Sequence, residues 1–98
     1  MTFEEIINSE KPVLVDFFAV WCGPCKTMST VLEDVKSVVK DETTILKIDV
    51  DKNTGLAQKY QVKGVPTMIL FKNGKILWRQ SGVIPKNELV KIIQSHSL

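Results

Sequence analysis

The 98 residues carry 44% hydrophobic and 24% charged side chains, the balance of one soluble domain (1–98) near the lower size limit for a self-sufficient core. The net charge of +2, from 13 basic and 11 acidic residues spread along the chain, leaves no basic block that would grip nucleic acid or a membrane surface. No apolar run nears the roughly 20 residues that span a bilayer. The opening "MTFEEIINSEK" lacks the basic-then-apolar layout of a signal peptide, so a cytoplasmic chain is expected.

Thr2 and Glu5 have the spacing of a capping box, and Phe3, Ile6 and Ile7 fall on one helical face, which predicts a short opening helix that stops near Ser9, before Pro12. "PVLVDFFAV", residues 12 to 20, is apolar on both faces except for Asp16, the pattern of a strand buried on both sides. From Pro24, the positions Met28, Val31, Leu32, Val35, Val38 and Val39 recur at helical spacing, opposite Lys26, Ser29, Glu33, Lys36 and Lys40. "TTILKIDVD", residues 43 to 51, reads as a second strand, parallel to the first through a right-handed crossover.

A short helix is expected after Asn53 and Thr54, either of which could cap it. "TMILFKNGKILWRQ" then predicts an antiparallel hairpin, because Asn73 and Gly74 are the pair a type I′ turn prefers. Pro85 opens a last helix with Leu89, Ile92 and Ile93 turned inward, although no Ser, Thr, Asp or Asn just before it supplies a cap. The order is helix, strand, helix, strand, helix, hairpin, helix: an α/β chain with a mixed sheet and helices on both faces.

"WCGPCK", residues 21 to 26, holds the only two cysteines. As a staple the pair is poor, since so short a loop yields roughly 2 kcal/mol before strain, against about 3 for a 15-residue loop. A structural zinc site needs four ligands, and the only histidine, His96, stands far along the chain with no second cysteine pair, so no metal is expected. A reactive pair uses every feature. Cys22 falls where a strand ends and the long helix begins, so free N–H groups and the positive helix end would stabilise its thiolate. Pro24 suits the first helical turn, where a missing N–H costs nothing, and Gly23 is expected to permit a tight turn. Cys25, one turn on, would reach Cys22 from inside the protein as the resolving thiol.

The chain resembles the thioredoxins over nearly all its length: "VDFFAVWCGPCK", "KIDVDKN", "YQVKGVPTMILFKNG" and "SGV" occur in that family's order and spacing. The resemblance implies a thioredoxin fold with a sheet of four strands, without the extra N-terminal strand of longer members. It also implies a dithiol/disulfide oxidoreductase, in its general form a protein-disulfide reductase. Cys22 would attack a substrate disulfide and Cys25 would resolve the mixed disulfide, with no cofactor beyond the Cys22–Cys25 pair. The expected partners are a thioredoxin reductase and disulfide-containing substrate proteins, and a monomer is expected. Gly23 and Pro24 favour the reductase over an oxidase or isomerase on the same fold; a binding module with incidental cysteines is the rival of another class.

Asp16 matches the family's buried acid, expected to relay a proton to or from Cys25; on the residues alone an ion-pair partner is an equal reading. Lys47 matches the lysine near that acid, and without the family it reads as a solvated strand residue. Pro66 in "GVPT" matches the family's cis-proline, which would leave the Val65 backbone free to pair with an extended substrate. Trp21, Gly64, Val65, Gly82 and Val83 would complete a flat apolar rim, each with ordinary packing or turn chemistry as the alternative. Lys26 would aid the thiolate or simply be solvated, and Trp78 reads as packing. Phe18 stands where many members have a second tryptophan, and Thr30 replaces a helix-kinking proline, which predicts a straighter long helix. Without the extra strand, the edge of residues 44 to 50 is expected to be open and guarded by Lys47 and Asp49.

Overall fold

The computed structural model describes residues 1–97; Leu98 lies outside them. Helix α1 spans Phe3–Ile7 and opens on the predicted capping box: Thr2 Oγ1 accepts the Glu5 N–H at 3.2 Å, and the Glu5 carboxylate accepts the Thr2 N–H at 3.0 Å. Strand β1, Val13–Phe18, leads to the long helix α2, Gly23–Val39, and a 3₁₀ turn at Lys40–Glu42 leads to β2, Thr44–Asp49. Helix α3, Thr54–Lys59, precedes the hairpin of β3, Thr67–Lys72, and β4, Lys75–Ser81, and α4, Lys86–Ser95, follows. Asn73 and Gly74 both have positive φ, 53° and 77°, as a type I′ turn requires.

The sheet has the order β2-β1-β3-β4, with β1 parallel to β2 and antiparallel to β3. Alternation along the central strands divides the core in two. Leu14, Met68 and Leu70 pack with Met28, Leu32 and Val35 of α2 and with Leu89 and Ile93 of α4. Val13, Val15, Phe17, Ile69 and Phe71 pack on the other side with Ile7 and, at its margin, Phe3, Leu56 and Tyr60. Asp16, two residues beyond Leu14, therefore shares the face that α2 covers. Val38 lies outward and Ile92 is only half-buried, so the inward stripes of α2 and α4 are narrower than their periodicity suggests.

Several local expectations need correction. Asn53 precedes α3 without capping it, because its side-chain amide donates instead to the Asp49 carbonyl at 3.0 Å. Asp49 does not guard the β2 edge: its carboxylate accepts the N–H groups of Asp51 and Lys52 and shapes the turn after the strand. Lys47 alone stands exposed on that edge strand. Helix α2 is unbroken, and Thr30 Oγ1 donates back to the Lys26 carbonyl at 3.5 Å.

Arg79 of β4 ties the sheet to the end of α3. Its guanidinium donates to the Tyr60 carbonyl and, at 2.7 Å, to the Gln61 carbonyl, where the chain leaves the helix at a φ of 53°. Arg79→Ala removes both donors from a partly solvated site, and the urea midpoint is expected to fall by the equivalent of about 1 kcal/mol with the m-value unchanged.

Candidate active site

The chain leaves β1 at Phe18, turns through Ala19 to Trp21 and enters α2 at Gly23, with Cys22 as the N-cap residue. Cys22 and Cys25 form a disulfide with Cα atoms 5.3 Å apart. Cys22 Sγ accepts the Cys25 N–H at 3.1 Å, so this sulfur fills the role a serine or aspartate oxygen plays at ordinary helix caps. The same donor and the positive end of a 17-residue helix favour negative charge on Cys22 once the disulfide opens. Pro24 takes the first turn as expected. Gly23 does not supply a special turn: it is helical, and a Cβ there would meet nothing within 4 Å.

The two sulfurs are almost equally covered, Cys22 being 5% and Cys25 4% exposed, so burial does not separate an outer from an inner thiol. Their surroundings do. Cys22 Sγ lies 3.7 Å from the Val65 carbonyl oxygen, a contact the disulfide cannot make a hydrogen bond because it has no S–H. Cys25 faces a cavity of about 240 Å³ shared with Phe18, Ala19, Ser29 and Lys47.

Opposite Cys22, the Val65–Pro66 bond is cis. The Gly82 N–H donates to the Pro66 carbonyl at 2.9 Å, and Thr67 Oγ1 bonds the Gly64 carbonyl at 2.6 Å and Ser81 Oγ at 2.8 Å, which ties this loop to the end of β4. Gly82 has a φ of 94°, a backbone that disfavours any residue with a Cβ. Gly64 has no such need and has open space where a side chain would be. Val65 is half-buried and Val83 exposed. Trp21 is 71% exposed yet anchored, since its indole N–H donates to Asp51 Oδ2 at 2.8 Å. Asp51 was not singled out in the sequence, where thirty positions separate the partners and no local signal links them. A cleft of about 140 Å³ runs between Trp21 and Val62, Gly64 and Val65.

Asp16 is fully buried, and neither carboxyl oxygen has a hydrogen-bond partner among the described residues. Loss of solvation pushes its pKa up to about 6, with the charge of Lys47 opposing. Lys47 is its register neighbour in the parallel β1–β2 pair but forms no bond with it; the ammonium donates to Ser29 Oγ at 2.6 Å and sits 5.0 Å from the centre of the Phe18 ring. Lys26 is exposed, and Trp78 packs at the margin of the core as expected. Among the described residues no three His, Cys, Asp or Glu side chains gather as a metal site. No helix among them is long and apolar enough to cross a membrane.

The thioredoxin family model matches residues 1–95. The chain belongs to the thioredoxin family. It is similar to Thioredoxin Y2, chloroplastic, of Arabidopsis thaliana, 47% identical over 95 residues that cover 96% of this chain and 57% of the relative. A bifunctional thioredoxin reductase/thioredoxin of Mycobacterium leprae (strain TN) is 45% identical over 89 residues, 91% of this chain and 19% of that protein. Among solved structures, a mutant thioredoxin from Halobacterium salinarum NRC-1 superposes with a TM-score of 0.87 at 35% identity, covering 97% of this chain and 82% of the other. The mixed four-stranded sheet with helices on both sides is therefore the thioredoxin fold, and the Cys22–Cys25 disulfide is the redox centre of this thioredoxin domain.

The expected cytoplasmic setting is corrected by the same relatives. Besides Thioredoxin Y2, two further similar proteins are chloroplastic thioredoxins Y, from Oryza sativa and Arabidopsis thaliana, and the chain spans between 55% and 57% of the lengths of the three. Targeting is read from segments that need not pack into a domain, so the composition of the opening residues was no guide to compartment.

Proposed function

We propose that this thioredoxin domain is a general protein-disulfide reductase, and the observation that carries the reading is Cys22 Sγ at the N-cap of α2, accepting the Cys25 N–H. In the dithiol state the Cys22 thiolate attacks one sulfur of a substrate disulfide. A Cys22–substrate bond forms, the substrate S–S bond breaks, and the second substrate sulfur leaves as a thiolate that takes up a proton. Cys25 then gives its proton to the Asp16 carboxylate and attacks Cys22 Sγ. The remaining substrate sulfur leaves with a proton, so the substrate gains two electrons and two protons and the domain holds the Cys22–Cys25 disulfide.

The rim supports broad peptide recognition. Val65 sits outside β3, its N–H without a partner among the described residues, beside a proline that cannot donate. An extended substrate segment pairs there through its own backbone, which asks little of its side chains. Trp21, Gly64, Gly82 and Val83 give a low apolar surface beside Cys22, and Gly23 and Pro24 add no bulk at the helix end. Lys47 acts on Asp16 through its charge.

A thioredoxin reductase recharges the disulfide, a reading favoured by the Mycobacterium leprae relative whose name joins both activities in one protein. No cofactor is used beyond the cysteine pair, a single thioredoxin domain acts as a monomer, and the chloroplastic relatives favour a plastid setting.

The test is reduction of a protein disulfide, such as that of insulin, by a small dithiol. The expected rate rises in proportion to the amount of this protein added; a rate equal to that of the dithiol alone would overturn the reading.

A further inference from the structure

Asp16 and Lys47 face each other across the parallel β1–β2 pair, so their side chains leave the same side of the sheet. A buried carboxyl with two unpartnered oxygens beside a flexible ammonium is expected to draw that ammonium in. Instead the lysine crosses to α2. Its Nζ donates to Ser29 Oγ at 2.6 Å, and the Phe18 ring, 5.0 Å away, supplies a second favourable contact for the charge. Ser29 and Lys47 together line both the cavity that reaches Cys25 and a larger groove of about 500 Å³ between α2 and the β2 edge. Their bridge stands between these two spaces.

We infer that Ser29 is a positioning residue: its hydroxyl anchors Lys47 between α2 and β2, holding the ammonium off Asp16 and leaving the carboxyl free to exchange a proton with Cys25. The surrounding charges do not replace that bridge. From α2, Lys26 lines the Cys25 cavity and is exposed, while Glu33 and Lys36 line the outer groove. From β3 the register neighbour is Met68, which carries no charge. Among the described residues Lys47 is thus the one charge that acts on the ionisation of Asp16, against the larger effect of lost solvation. With the hydroxyl removed, Nζ loses its fixed acceptor and turns toward the carboxyl, which favours the ionised form.

The consequence for turnover rests on the disulfide-reductase reading. The titration itself does not, so the two can fail separately. The experiment follows the Asp16 carboxyl carbon by NMR against pH in the oxidised protein. In Ser29→Ala the midpoint is expected to fall by about one unit, the lower end of the range for a carboxylate gaining a close cation. Ser29→Thr, which keeps a hydroxyl, retains the wild-type midpoint. Lys47→Met raises it, and adding Ser29→Ala to Lys47→Met moves it no further. A midpoint unmoved or raised in Ser29→Ala, a threonine variant that behaves like alanine, or an equal shift without Lys47 would each overturn the inference.

Discussion

A Cys25→Ser variant is expected to remain covalently bound to its substrate. The chain has only two cysteines, so with Cys25 gone the mixed disulfide at Cys22 has no internal thiol to resolve it. Release then waits for a thiol from solution, and the loss of a neighbour held one helical turn away lowers multiple turnover by at least about 10³-fold, well within the range of effective molarities for oriented groups. The adduct is read by mass spectrometry under non-reducing conditions. Cys22→Ser is expected to lose turnover to the same floor and to form no adduct. The contrast is informative because exposure does not distinguish the sulfurs, whereas the helix end does: only Cys22 accepts an N–H at the N-cap. An adduct on Cys25 in Cys22→Ser, with none in Cys25→Ser, would reverse the assignment.

Asp16→Ala is expected to make the protein more stable at neutral pH. The carboxyl is buried without a hydrogen-bond partner among the described residues, and its pKa stands at about 6 in the fold against 3.8 for the free side chain. Between those values the folded state binds more protons than the unfolded state, so stability falls as pH rises from about 4 to about 6. Above pH 6 the whole cost of ionising a buried group is present, and below pH 4 it is absent. Two pKa units correspond to about 3 kcal/mol, and the variant should recover most of this at pH 7. Denaturant titrations across pH check the sign: the advantage of Asp16→Ala should vanish near pH 4. A variant equally or less stable at pH 7 would contradict the buried-acid account. Loss of the proton acceptor should also slow the resolving step, by about 10²-fold if general-base transfer limits it.

Features decided within a few residues were legible in the sequence, and both predictions above draw on them. The capping box at Thr2 and Glu5 and the Asn73–Gly74 turn are of this kind. The buried β1 strand was legible because its apolar run admits no solvent face, and Asp16 stood out against it. Cys22 at the helix end followed from the same junction of patterns. The cis bond at Pro66 came through resemblance alone, since an X-Pro pair by itself favours trans. Contacts over long sequence separations had no local trace: the Asp51 anchor of Trp21, the Arg79 clamp on Tyr60 and Gln61, and the Ser29–Lys47 bridge. Asn53 and Asp49 were misassigned although their partners lie within four residues, because a short polar side chain can serve several nearby backbone groups and the sequence pattern does not say which.

The equilibrium reduction potential of the Cys22–Cys25 pair tests the central claim most directly. Titration against dithiol buffers of known poise, followed by the fraction of disulfide, yields it without a substrate or a reductase. Electron flow from this dithiol to protein disulfides predicts a value below about −220 to −260 mV, more reducing than a cellular glutathione pool. A value near about −180 to −120 mV would make the pair an oxidant or isomerase and would contradict the proposed direction of electron flow.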